Sequence, residues 1–171
     1  MANLFKKSYS VKLPKSQHEV EEFGKGKKGL AVCKNCSSVY FKKSWHHGLE
    51  RIKLTGKEKD LPLNFILCPA CQMIENKQYE GRLIIKNVSE KLADQLGDLV
   101  AGFCRRAYER DPMDRLIAIK KTGSAWEVTV TENELANKLA NKIKNAFNKI
   151  KVSRRFSKEP SDVIEVTIEF L

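Results

Sequence analysis

Val32-Cys33-Lys34-Asn35-Cys36 and, further on, Leu67-Cys68-Pro69-Ala70-Cys71 decide how the first part of this chain folds. Each stretch is a Cys-x-x-Cys clip whose first Cys follows an apolar residue of the kind that ends a short strand. The tight x-x turn points both sulfurs of a clip the same way. Two such clips close a tetrahedron of thiolates around one Zn2+, and metal binding then holds together a segment too short and too polar to fold alone. The spacing predicts a zinc ribbon with an enlarged loop between Cys36 and Cys68. Cys33, Cys36, Cys68 and Cys71 are the expected ligands of a single structural zinc.

Two other chemistries use paired cysteines. A disulfide framework needs an oxidising compartment, and the start of the chain, with Lys6 and Lys7 and no apolar run, does not read as a secretory signal. A redox dithiol sits at a strand-to-helix turn of a βαβ pattern, unlike two pairs in a Lys-rich stretch. His46 and His47 are potential ligands, but four thiolates already fill the tetrahedron and leave no position for a catalytic water. The metal is therefore expected to be a scaffold. The fifth thiol, Cys104, lies beside Phe103 in an apolar-periodic segment and reads as a small buried hydrophobe.

Working outward, residues 1–29 read as a flexible basic arm, with seven Lys and the helix-breaking Pro14, Gly24, Gly26 and Gly29. Residues 30–81 form the zinc module, in which Leu63, Phe65, Ile66 and Leu67 make a strand entering the second clip and residues 46–60 an exposed loop. Residues 82–171 form an α+β domain. A strand over 82–86 leads to Ser89 as N-cap, with Val88 as a staple. Leu92, Leu96, Leu99, Val100, Phe103 and Ala107 then recur at helical spacing, and Pro112 fixes the exit. Strands over 116–121 and 125–131 form a hairpin around Gly123, with Ile117 and Ile119 on one face of the first and Trp126, Val128 and Val130 on one face of the second. Thr131 and Glu134 match a capping box for a helix whose stripe is Leu135, Leu139, Ile143, Phe147 and Ile150. Strands over 151–157 and 162–170, joined by a turn around Pro160, end the chain. The order β-α-β-β-α-β plus one strand predicts a ferredoxin-like antiparallel sheet with two helices on one face.

At 171 residues the chain holds one ordinary domain and a small one. No run approaches the roughly 20 apolar residues of a membrane span, so a soluble, cytoplasmic protein is expected. Its 32 basic and 21 acidic residues leave a net charge of +11, which favours a polyanionic partner, nucleic acid or an anionic membrane surface. There is no glycine-rich phosphate loop and no Ser/His/Asp cluster in a recognisable setting. Turn chemistry accounts for Asp111 and Asp114. The chain is expected to be no enzyme and to take no small-molecule substrate.

Two basic surfaces are candidates for RNA contact. In the zinc module, Lys34, Lys42, Lys43, Trp45, His46, His47, Arg51 and Lys53 place an aromatic ring among cations, as unpaired bases and phosphates require. Trp45 equally suits the small core of the module. In the second helix of the larger domain, Asn137, Lys138, Asn141, Lys142, Lys144, Asn145, Asn148 and Lys149 lie opposite the apolar stripe. Amides there can bond phosphate, sugar or base edges while Lys supplies charge. The alternative is an ordinary solvated face. Lys151, Arg154 and Arg155 continue this patch. Arg154 shares strand parity with Val152 and Phe156, so it snorkels past the core edge or lies on an exposed rim.

The two Cys-x-x-Cys clips, Trp45 after the first, the Leu116-Ile117-Ala118-Ile119 and 126–131 strands, and the helix-strand-strand ending at Phe170 together carry a resemblance over about residues 30–171. The chain resembles the Nmd-type (nonsense-mediated-decay-protein-like) ribosome-associated zinc-ribbon proteins, most closely their short bacterial members. Longer relatives in that family carry more Cys-x-x-Cys pairs and further domains. The resemblance implies binding to the large ribosomal subunit in assembly, transport or stability control, with no known enzymatic activity. The chain is expected to be an RNA-binding protein of the ribosome, with rRNA and ribosomal proteins as partners, in assembly, stability or mRNA-decay control. An adaptor acting through protein contacts in transcription or RNA decay is the other expectation.

Overall fold

The structure, a computed structural model, describes residues 29–157 and 163–171. The basic arm, apart from Gly29, and the turn around Pro160 lie outside the described residues. The described residues build a mixed α+β fold around two sheets.

The smaller sheet has the order β3-β2-β1-β4, from β1 (Leu30–Cys33), β2 (Val39–Phe41), β3 (Ser44–His46) and β4 (Leu63–Ile66). The β1–β2 connection is the first cysteine clip. The Cys33 N–H donates to the Ser38 carbonyl (2.8 Å), the Ser37 N–H donates to the Cys33 carbonyl (3.0 Å), and Ser37 takes a φ of 59°. Lys42 and Lys43 turn β2 into β3 with φ of 49° and 67°, the backbone of a two-residue type I′ hairpin. β4 returns parallel to β1, with Cys33 opposite Ile66. This pairing brings the clips together, because both strands end on the same side and each runs straight into its cysteines.

The segment between β3 and β4 is more ordered than an exposed loop. Ile52, Leu54 and Leu61 pack against buried Leu30, Val32 and Val39. Glu58 accepts from both the Thr55 N–H (2.8 Å) and the Thr55 hydroxyl (2.6 Å). After the second clip the chain enters α1 (Pro69–Glu75), with Cys68 as its N-cap and Pro69 in its first turn. The second cysteine pair thus sits at a helix start.

The larger sheet has the order β6-β7-β5-β9-β8, from β5 (Gly81–Lys86), β6 (Leu116–Thr122), β7 (Ala125–Val130), β8 (Ile150–Phe156) and β9 (Ile164–Phe170). Helices α2 (Glu90–Arg110) and α3 (Asn133–Ala146) pack on one face. The expected antiparallel sheet is corrected to a mixed one, since β5 pairs with β9 in parallel. The ferredoxin-like order would set the fourth strand beside the first, whereas the fifth stands there and the fourth is an edge. Burial explains the exchange. Ile164, Val166, Ile168 and Phe170 are all buried and need a covered position. β8 offers only half-buried Ile150 and Val152 before Arg154 breaks the apolar parity, and that suits an edge.

Three local expectations are also corrected. The α3 helix ends at Ala146, so Ile150 is the first residue of β8; Lys149, at φ 55°, makes the turn between them. In β6 a bulge at Ile117 places Leu116 opposite Val130 and Ala118 opposite Thr129. Leu116 and Ile119 therefore reach the core in place of Ile117 and Ile119. Thr131 does not cap α3, whose N-cap is Glu132. Its buried hydroxyl instead donates to the Met113 carbonyl (2.5 Å) and accepts from the Arg115 N–H (2.8 Å). Cys104 lies in the core as expected, and burial pushes its thiol up to about 12.

Candidate metal centre

Cys33 ends β1, Cys36 closes the β1–β2 turn, Cys68 caps α1 and Cys71 lies in its first turn. Their four Sγ atoms all lie within 4.8 Å of one another. Cys36 Sγ and Cys68 Sγ are 3.7 Å apart. A tetrahedron with Zn–S bonds of about 2.3 Å has S···S edges of roughly 3.8 Å, so the donors fit an ion of that size. Cys33, Cys68 and Cys71 are buried and Cys36 half-buried, and all four are free of disulfides.

Backbone donors already face the sulfurs. The Cys68 N–H donates to Cys33 Sγ (3.3 Å) and the Cys71 N–H to Cys68 Sγ (3.4 Å), as the unsatisfied N–H groups of a helix start allow. Cys36 Sγ lies 3.2 Å from Ser38 Oγ, a hydroxyl that can donate to the thiolate. Burial alone would raise the Cys36 thiol, but hydrogen bonds from Ser38, Cys33 and Arg115 outweigh it and bring it down to about 6. Burial pushes Cys68 up to about 11 and Cys71 higher still. An ion that displaces these protons gains four charged donors in a nearly dry pocket. The four cysteines can hold one metal ion.

The larger sheet supplies part of the wall. Met113 packs against the cysteine cluster beside Trp45 and Leu67. The Arg115 guanidinium lies over the Tyr108 ring at 4.4 Å and reaches Cys36. His47 Nε2 donates to the Tyr108 carbonyl (2.5 Å), and the two rings meet edge-on at 4.7 Å. Sequence reading missed Met113, Arg115 and Tyr108 altogether. Nothing near the clips points to them, because only the tertiary fold brings the 108–115 segment to the sulfurs.

The expected RNA-contact residues fall into two groups. In the module, Lys34, Lys42, Lys43, Arg51 and Lys53 are exposed. Lys42 lies over the Phe41 ring at 4.8 Å and 3.9 Å from Glu58. His46 is taken up by the hairpin, with Nε2 near Ser44 Oγ (2.9 Å) and the Phe41 carbonyl (3.1 Å). Trp45 packs on the cysteine cluster and on Tyr40 at 5.4 Å, and its Nε1 is buried without a partner. The ring therefore belongs to the small core.

On the larger unit, Arg154 lies on the rim and donates to Asn137 Oδ1 (3.1 Å) and Asn141 Oδ1 (2.7 Å). These two amides hold an edge strand to a helix, which accounts for their place on α3. Lys138 pairs with Glu134 one turn earlier (3.0 Å). Lys142, Lys149 and Arg155 are exposed.

The sequence matches no family model and no curated protein. Among the described residues, no helix is long and apolar enough to cross a membrane.

Proposed function

We propose that zinc fills the four-cysteine cluster and that the chain is a non-enzymatic RNA-binding protein acting on the ribosome, through the large subunit, in assembly, stability or mRNA-decay control. Zinc suits four thiolates in a tetrahedral, closed arrangement, where its contribution is folding energy. The observation that carries the RNA reading is charge. The net +11 includes exposed Lys and Arg on both units, at Lys34, Lys43 and Lys53 on one and Lys142, Lys149 and Arg155 on the other. Charge so distributed suits a polyanion that spans both. Co-sedimentation with ribosomes across a salt titration tests the reading. Binding should be present at low salt and fall steeply as salt rises, because phosphate contacts release counterions. Absent or salt-insensitive binding would sink it.

One observation favours the adaptor reading. Among the described residues, Leu63, Phe65 and Ile66 on the edge strand β4 are exposed, Phe65 at 60%. An extended partner segment could add to that edge and cover these side chains. Charge reversal at Lys138 and Lys142 separates the two, since an adaptor keeps its partner and an RNA binder loses affinity.

A further inference from the structure

The layer formed by α2 and α3 is not flat. A groove runs between the C-terminal half of α2 and the middle of α3. One part, of about 460 Å³, is lined by Phe103, Arg106, Glu109, Arg110 and Lys142. A neighbouring part, of about 270 Å³, shares Phe103 and Arg110 and adds Lys138 with Asp111 and Asp114. The first is within the size range of sites that hold small molecules.

Charge is unevenly spread along it. At the larger part, Arg106, Arg110 and Lys142 face a single carboxylate, Glu109. At the smaller part Asp111 and Asp114 offset Lys138 and Arg110, which lines both parts. Arg106 and Lys142, from two helices, with Arg110 shared between the parts, leave positive charge in excess at the larger end, which directs an anion there. Arg110 Nε donates to the Arg106 carbonyl (3.2 Å) in the last turn of α2, which anchors its guanidinium at the rim. Phe103 is half-buried against the core and leaves part of its ring to the groove.

We propose that this groove binds one nucleotide of single-stranded RNA, with the phosphate among Arg106, Arg110 and Lys142 and the base against Phe103. The inference rests on the RNA-binding reading and gives it a place and a strand type. A phosphate matches the cations, and an aromatic wall beside them favours a planar base over an acidic peptide. In a duplex the bases are stacked on one another and cannot reach Phe103, so the groove selects unpaired strands.

Anisotropy of a fluorescein-labelled oligouridylate with the full chain, titrated across NaCl concentrations, tests this. Arg106→Gln with Arg110→Gln should weaken binding roughly tenfold. It should also flatten the slope of log K against log salt by about 1.4, at about 0.7 per lost phosphate contact on a single strand. Phe103→Leu should weaken binding by roughly five- to tenfold with the slope unchanged, since stacking carries no counterions. A duplex of the same length should bind more weakly than the single strand. Circular dichroism melts check the fold. Lys142→Gln, at an exposed position, should flatten the slope by about 0.7 even where the double variant fails to fold. Wild-type binding matched by every groove variant overturns the groove and leaves the RNA reading standing. No wild-type binding at low salt overturns both. Equal competition by polyglutamate, with Phe103→Leu unaffected, assigns the groove to an acidic protein segment and overturns the proposal.

Discussion

The Thr131 hydroxyl serves the loop before it rather than the helix after it. From sequence, Thr131 and Glu134 match a capping box, and nothing local distinguishes that from a tertiary role. The difference is that Met113 and Arg115 arrive beside Thr131 through the sheet and compete for its oxygen. Thr131→Val, equal in shape, strands the part-buried Arg115 N–H and should cost about 1 kcal/mol of stability, read by urea denaturation. Arg115 is also the charged neighbour of Cys36. With zinc bound as proposed, four thiolates would leave a net negative cluster for its guanidinium to offset. Arg115→Met should lower zinc affinity by roughly 10–100-fold in a chelator competition, the usual effect of removing a group that supports a metal ligand. Glu132 gives a pH signature. Burial, followed by Glu80, Asp114, Asp111 and Glu134, raises its carboxyl from 4.5 to about 7. A raised acid favours the folded state only while protonated, so its contribution is complete below pH 4.5 and is lost as pH rises towards 7. Glu132→Gln should remove that decline, and melts between pH 5 and pH 8 check it.

At the scale of elements, alternation and periodicity carried most of the larger unit. β5, the two helices and the β6–β7 hairpin stand close to their expected positions because each is a short-range pattern. Misplaced features involve neighbours distant in sequence. Ile150 matches the helical stripe of α3 but joins β8, since pairing with Phe170 outweighs one more helical turn. The bulge at Ile117 depends on where β7 runs and leaves no mark in the sequence of β6. Gly81 shows how closely α3 approaches β5. A Cβ there would lie 2.5 Å from Ala136 Cβ and 2.6 Å from Val130 Cγ2. Gly81→Ala should therefore destabilise the larger unit by about 1–3 kcal/mol, as overpacking does, seen as a lower denaturant midpoint at unchanged slope.

At the scale of the whole molecule, the two sheets meet at the four-cysteine cluster. Among the described residues, the smaller sheet buries only Leu30, Val32 and Val39 beside its cysteine cluster. Structural zinc contributes roughly 10–16 kcal/mol in small modules, so chelation should abolish amide-exchange protection over residues 30–75. The larger unit, with its own core, should keep protection in β5, β7 and β9. Met113, Arg115 and Tyr108 touch the module, so protection should also fall in 108–115. Exchange measured with and without chelator checks each part. Unchanged protection in 30–75 would rule out a structural metal.

The sequence by itself determined the cysteine cluster, the net charge and the apolar stripes, because thiol spacing, ionisation and side-chain periodicity are local properties. Only the tertiary structure decided that β9 enters the sheet beside β5, that the 108–115 segment walls the cysteines, and that Arg106 and Arg110 meet Lys142 across a groove. Each of these depends on how much apolar surface a segment must bury against others far along the chain, and that competition is resolved only when the whole molecule packs.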